Sequence, residues 1–178
     1  ILMVEIIDNV KILLVAIYAP NEKQEEFYKK LHNKIIELEY HNICLIGDFN
    51  GIVDVNLDYT TQKTNRQNRR TLPKPFFKMV EELNIQDVWR KRNTRNRQYT
   101  FYSNRHLSWS RIDMICMSTD LISNVKEVNI EASTWVDHNP IQIEWQGQRK
   151  RSRWTLNNTI LKEKEFLQKN GKGTGFLF

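Results

Sequence analysis

The stretch Val10-Lys11-Ile12-Leu13-Leu14-Val15-Ala16-Ile17-Tyr18-Ala19-Pro20-Asn21 decides how the chain is read. From Ile12 to Ile17 apolar residues follow one another without alternation. A strand of this kind is buried on both faces, as in a sheet covered by other layers. Pro20 ends it, and Asn21 with Gln24 three residues later forms a capping-box signal for a helix. Phe27, Leu31, Ile35 and Leu38 then recur at helical spacing, which predicts a helix reaching Tyr40-His41. Upstream, residues 1–7 read as a partner strand joined by a tight turn at Asp8-Asn9. Downstream, residues 43–46 form another short apolar strand that stops at Gly47.

Further along, residues 50–72 read as a polar loop, and a second helix is predicted from Pro73–Pro75 with Phe76, Phe77, Val80 and Leu83 on its apolar side. Asn84 and Asp87 fall in its exit loop. Strands are predicted over 99–103, 111–117, 125–130 and 141–145, the last alternating cleanly, so that one face meets solvent. Past Gly147 the pattern fails, and residues 147–178 read as a basic linker, partly helical over 156–167. Strand–helix–strand order followed by several strands predicts an α/β fold of stacked sheets flanked by helices.

Of the 178 residues 40% are hydrophobic and 27% charged, which suits a globular core and excludes a disordered chain. No apolar run approaches the roughly 18 residues of a membrane helix. The start lacks the charged region and cleavage site of a signal peptide. Cys44 and Cys116 lie in apolar runs and read as buried thiols, which fits a reducing nuclear or cytoplasmic compartment. The net charge of +6 is concentrated. Residues 62–74 carry Lys63, Arg66, Arg69, Arg70 and Lys74 with no acid. Residues 90–111 carry Arg90, Lys91, Arg92, Arg95, Arg97, Arg105 and Arg111, again with no acid, interleaved with Tyr99, Phe101, Tyr102 and Trp109. Arginine forks match phosphate oxygens, so this is either a solvated face over buried aromatics or a surface that tracks a nucleic-acid backbone.

Four short strings carry candidate chemistry. Gly47-Asp48-Phe49-Asn50 sits where a buried strand breaks into a loop. Asp48 and Asn50 would face one side there, a carboxylate to hold or activate water beside a neutral donor, although an Asx turn explains the same string. Asp137-His138-Asn139-Pro140 precedes the last strand. Neighbouring residues point apart, so Asp137 and His138 would serve separate roles, the imidazole stabilising a phosphate or moving a proton. Ser110-Arg111-Ile112-Asp113 opens an apolar strand in which Asp113 needs a partner. His138 would suit, as would an arginine. Tyr18-Ala19-Pro20-Asn21 brings a hydroxyl to the edge that Gly47 marks on the neighbouring strand.

Taken in order, these strings with Tyr99-Thr100-Phe101-Tyr102-Ser103 resemble the endonuclease/exonuclease/phosphatase superfamily, and within it the endonuclease domain of LINE-type retrotransposons. The stretch Arg153-Trp154-Thr155-Leu156-Asn157-Asn158 resembles the segment that follows that domain. The resemblance implies a two-sheet, four-layer α-β-β-α sandwich over residues 1–146 and Mg2+-dependent DNA nicking, with Mn2+ as an alternative metal. The nick leaves a 3′ hydroxyl that primes a covalently linked reverse transcriptase. It also implies roles. Asp48 aligns or deprotonates the attacking water, Asn50 and Tyr18 hold the phosphate, and Asp113 orients His138, which stabilises the phosphorane. Asp137 belongs to the metal environment, and Thr100, Arg111, Arg105 and Asn21 contact DNA.

Two departures stand out. Val136 replaces a residue that is often Ser, and the family's N-terminal Asn and metal-binding Glu have no counterpart, Glu5 lying in a strand without that motif. The expectation is therefore an N-terminally truncated, incomplete sandwich that nicks poorly by itself. Two other readings are a non-catalytic nucleic-acid-binding remnant and a phosphomonoesterase of the same superfamily.

Overall fold

The computed structural model describes residues 1–7, 11–63, 70–133 and 136–146. The expected turn at Asp8-Asn9, the cations Arg66 and Arg69, and everything predicted for residues 147–178 lie outside them. The chain lays down β1 (Leu2–Ile7), β2 (Lys11–Tyr18), α1 (Gln24–Glu37), β3 (Ile43–Asp48), β4 (Tyr59–Thr61), α2 (Lys74–Glu82) and β5 (Ile85–Asp87). It continues with α3 (Val88–Arg92), β6 (Phe101–Ser103), β7 (Ser108–Ser110), β8 (Asp113–Ser118), α4 (Thr119–Ile122), β9 (Val125–Ile130) and β10 (Ile141–Trp145).

A five-stranded sheet in the order β1-β2-β3-β8-β5 forms the frame. β2 and β3 are parallel through the α1 crossover, and the other pairs are antiparallel. As the apolar run in β2 demands, the sheet is covered on both faces. Leu13, Val15 and Ile17 of β2 pack with Leu45 of β3 and Met114 of β8 against Tyr28, Leu31 and Ile35 of α1 and Phe76 and Met79 of α2. On the opposite face Ile12, Cys44, Ile115 and Met117 pack with Val125, Val128 and Ile130 of β9, and Ile141 and Ile143 of β10 lie against them. The predicted α/β class with stacked sheets holds. Three layers are described, α1 and α2, the five-stranded sheet, and the β9–β10 pair, and the fourth, outer helical layer is not among the described elements.

A small sheet ordered β4-β7-β6 stands beside this frame. The strand predicted over 111–117 starts two residues later, and a short strand that the sequence did not announce precedes it. β7 ends at Ser110, paired with both Tyr59 and Phe101, and β8 starts at Asp113, paired with Asp48. Arg111 and Ile112 are the two residues on which the chain crosses from one sheet to the other. The Asn21–Gln24 capping box does not form either. The N-cap is Lys23, in the left-handed conformation at φ 55° with no side-chain cap, and Gln24 is the first helical residue. Gln24 is buried and turns its amide inward instead.

Candidate active site

Tyr18, Asp48 and Asp113 occupy one rung of the large sheet. Tyr18 is the register partner of Asp48 in the parallel pair, and Asp48 is the partner of Asp113 in the antiparallel one. All three lie at strand ends, with Tyr18 exposed, Asp113 half-buried and Asp48 buried. Gly47 makes the rung possible. Its φ is +134°, and a Cβ there would stand 2.0 Å from the carbonyl oxygen of Ile17, so only glycine lets β3 pass this close to β2.

The loop after β3 is pinned before it can wander. The Phe49 amide donates to the Ile112 carbonyl at 2.9 Å, while the hydroxyl of buried Tyr28 donates to the Phe49 carbonyl at 2.9 Å. Asn50 takes the left-handed conformation at φ 51°, which asparagine tolerates better than most residues. Its backbone N–H donates to Asp48 Oδ1 at 2.7 Å and its Nδ2 to the Ala19 carbonyl at 2.6 Å. Gln24 Nε2 donates in turn to the Asn50 carbonyl at 3.0 Å. A side-chain amide has two donors and an acceptor oxygen with two lone pairs, so this anchoring leaves Asn50 capacity for a substrate.

His138 arrives from the other side. Phe101 and His138 form a bridge, Asn139 N–H donates to the Thr100 carbonyl at 2.6 Å, and Tyr102 N–H donates to the Asp137 carbonyl at 3.2 Å. The imidazole leans on the Phe101 ring, with centroids 4.8 Å apart. Its Nδ1 lies 2.9 Å from Asp113 Oδ2. Asp113 therefore accepts from Nδ1–H, which fixes the tautomer and leaves Nε2 for chemistry. Of the two partners open to Asp113 in the sequence, the histidine is the one it takes. One ligand atom each from Asp48, Asp113 and His138 fall within 4.8 Å of one another, and this is the one such group of histidine, cysteine and acidic side chains among the described residues. Two facing carboxylates repel, and a cation between them relieves that repulsion.

The remaining site residues are not all here. Tyr18 is 71% exposed beside the rung. Asn21 and Arg105 are exposed on the loop after β2 and on the β6–β7 hairpin. Asp137 is exposed and outside the group formed by its neighbour His138. Two assignments need correction. Thr100, expected at DNA, is fully buried, and its Oγ1 accepts from the N–H groups of Ile112 and Asp113, both at 3.0 Å. Arg111, expected at the DNA backbone, is also fully buried. Its Nε donates to Asp58 Oδ1 at 2.8 Å and its Nη1 to Asp87 Oδ2 at 2.6 Å, with Trp89 stacked 5.3 Å from the guanidinium carbon. A buried guanidinium needs such carboxylates, and with two of them holding it, it cannot reach a phosphate.

Sequence reasoning gives Asp58 no role and places Asp87 only in the exit loop of the second helix. Asp58 is fully buried, and Arg90 Nη2 also reaches its Oδ1, at 2.6 Å. Burial pushes the Asp58 carboxyl up, but the guanidinium of Arg111 and hydrogen bonds from Arg111, Asp54 N–H and Arg90 outweigh it and hold the group below the usual carboxylate range. For Arg111, burial works against the charge, and Asp87 and Asp58 more than restore it. Asp87 could have been found, because it caps α3 through Arg90 N–H as a residue of its type does. The arginine-rich stretch thus divides. Arg90 and Arg111 serve the fold and Arg92 binds the carbonyls of Val125 and Lys126, while Arg95, Arg97 and Arg105 stay exposed.

No protein-family model matches the chain. In sequence it is 27% identical over 161 residues to the Transposon TX1 uncharacterized 149 kDa protein of Xenopus laevis, a match that takes in 86% of this chain and 12% of that protein. In structure it is similar to the 3′ phosphatase NExo from Neisseria bound to product DNA hairpin, with a TM-score of 0.64 at 17% identity over 81% of this chain and 64% of that one. It is also similar to an AP endonuclease from Archaeoglobus fulgidus, with a TM-score of 0.61 at 21% identity over 75% and 61% of the two chains. The AP endonuclease LMAP from Leishmania major gives a TM-score of 0.66 at 19% identity over 79% and 51%. The chain spans about an eighth of the transposon protein and between half and two thirds of the solved structures. The α/β fold of stacked sheets expected from the sequence is shared with these nuclease and phosphatase structures, and the sequence is similar to a transposon protein.

Proposed function

We propose that this chain carries the nuclease site of a retrotransposon protein and hydrolyses a DNA phosphodiester bond to leave a 3′ hydroxyl. The observation that carries this reading is the rung of Tyr18, Asp48 and Asp113 with His138 docked on Asp113. A hydrolase for a phosphodiester needs a group that orients water, donors for the phosphate oxygens and a group that meets the charge of the phosphorane. Asp48 takes the proton of the attacking water. Tyr18 and Asn50 hold the phosphate, and His138, kept in register by Asp113, donates through Nε2 to a phosphorane oxygen. The bond to the 3′ oxygen breaks, and that oxygen is protonated from solvent to give the primer end.

The residues present fit a hard divalent ion such as Mg2+ or Mn2+, which binds through one or two carboxylates together with waters and substrate phosphate oxygens. Asp48 and Asp113 would hold it beside His138. When bound, the ion supplies positive charge against the phosphorane. We further propose that this 178-residue stretch alone binds the ion weakly. Asp113 is already engaged by His138 and Asp48 by the Asn50 N–H, so the group offers few uncommitted oxygens. Exposed Asn21, Arg95, Arg97 and Arg105 would follow the DNA backbone, and a linked reverse transcriptase would use the nick.

The test is plasmid relaxation at raised Mg2+ or Mn2+. Nicking that disappears in Asp48→Ala and in His138→Ala supports the reading. Salt-sensitive DNA binding without any nicking would leave a non-catalytic binding module, and turnover of a small phosphate monoester would move the site to phosphatase chemistry.

A further inference from the structure

Thr100 joins the two arms of the site with four hydrogen bonds. Its hydroxyl oxygen accepts from Ile112 N–H and Asp113 N–H, both at 3.0 Å. Its own N–H donates to the Ser110 carbonyl at 3.0 Å, and its carbonyl accepts from Asn139 N–H at 2.6 Å. The residue is fully buried. Asp113 is one of its partners, and His138 is the residue next to another. Between β7 and β8 the Arg111 N–H donates to the Asp58 carbonyl at 2.9 Å, and the Thr100 oxygen supplies for Ile112 the acceptor that a neighbouring strand would otherwise give.

We propose that Thr100 is a positioning residue that sets the Asp113–His138 distance, the hydroxyl fixing the carboxylate arm and the carbonyl fixing the imidazole arm. The catalytic consequence rests on the nuclease reading, but the placement itself stands on the geometry alone. Only a side chain with an acceptor at the γ position can take both N–H groups, and serine shares that property with threonine. Valine matches the shape and leaves two buried N–H groups without an acceptor. The segment that starts β8 would then shift to find partners, moving the carboxylate away from Nδ1.

The experiment compares the full chain with Thr100→Val and Thr100→Ser by two readouts. The first is the far-downfield proton resonance of an imidazole Nδ1–H bonded to a carboxylate, which needs no substrate. It is expected in the parent and in Thr100→Ser and lost in Thr100→Val. The second is nicking kinetics on supercoiled plasmid at raised Mg2+, where Thr100→Val is expected to lose about 100-fold in kcat with little change in KM, the scale of a 1 Å misplacement, while Thr100→Ser keeps most of it. Thr100→Val that keeps the resonance and kcat overturns the proposal. So does Thr100→Ser that folds yet loses either, which decides the matter should Thr100→Val fail to fold. A parent chain that shows the resonance but does not nick sinks the nuclease reading and leaves the positioning role standing.

Discussion

Nδ1 of His138 sits 2.9 Å from Oδ2 of Asp113, joining the loop before β10 to the start of β8 across 25 residues of sequence. Asp113→Asn keeps the shape but lets the amide nitrogen face Nδ1, which selects the wrong tautomer. Plasmid nicking should fall by about 10²- to 10⁴-fold in kcat, the range of a lost general acid–base contribution. Unchanged kcat would mean that the pair has no part in turnover.

Arg111 and Arg105 should separate the folding role of the arginines from the binding one. Arg111→Ala leaves buried Asp58 and half-buried Asp87 without their main partner, and should cost about 3–5 kcal/mol of stability in urea unfolding. Arg105→Ala, exposed on the β6–β7 hairpin, should leave stability within about 0.5 kcal/mol and lower the salt dependence of DNA binding by about one phosphate contact. A destabilised Arg105→Ala, or a stable Arg111→Ala with weaker DNA binding, would reverse the two roles.

Acid should attack the fold through Asp58. Its carboxyl is held below the usual value in the folded chain, mainly by Arg111 against the effect of burial. A group depressed on folding contributes its full stabilisation above its unfolded pKa of about 3.9 and loses it as pH falls through the lower folded value. Stability measured by circular dichroism should therefore decline below about pH 4. In Asp58→Asn that decline should be shallower and should start from a lower plateau. An identical acid limb in both proteins would show that other carboxylates set it.

Gly47→Ala should be poorly tolerated. The added Cβ meets the Ile17 carbonyl oxygen at 2.0 Å with a backbone at φ +134°, and neither the oxygen nor the β2–β3 pairing can give way without moving Asp48. A loss of about 2 kcal/mol or more, read by thermal unfolding, follows from strain on a backbone conformation that only glycine adopts freely. Wild-type stability would mean that β3 relaxes at its end.

Both thiols should be silent. Burial pushes the Cys44 thiol up to about 12 and Cys116 well above its ordinary value, and the thiolate is the reactive form. A colorimetric thiol reagent should label neither cysteine in the native protein and both in guanidinium. Rapid labelling of native Cys44 would show that the face of the sheet beneath β9 and β10 opens.

What could be read beforehand followed from residues whose environment repeats along the chain. β2 announced itself through its unbroken apolar run, α1 and α2 through helical spacing, and β10 through alternation. β4, β5 and β7 have three residues each, too few for any period to show. In the site, Tyr18, Asp48, Asn50, Asp113 and His138 came from short strings at strand ends, and the structure gathers them. Thr100 and Arg111 enter only through the resemblance, as DNA contacts, and the structure buries both. Their hydroxyl and guanidinium suit DNA as well as they suit a buried partner, and the partner that decides, Asp58, lies 53 residues from Arg111. The N-cap of α1 was misjudged because Gln24 has acceptors in Phe49 and Asn50, more than 20 residues away, that outweigh its local capping option.

The two-residue passage at Arg111 and Ile112 between the small sheet and the large one has a consequence for how activity is lost. Helices α1 and α2 pack on each other and on one face of the frame, whereas the candidate site groups meet only when segments from residues 18 to 138 have all docked. Partial melting along this seam would scatter them while leaving helical content nearly untouched. A stressed sample would then look folded by its spectrum while Asp48, Asp113 and His138 had come apart.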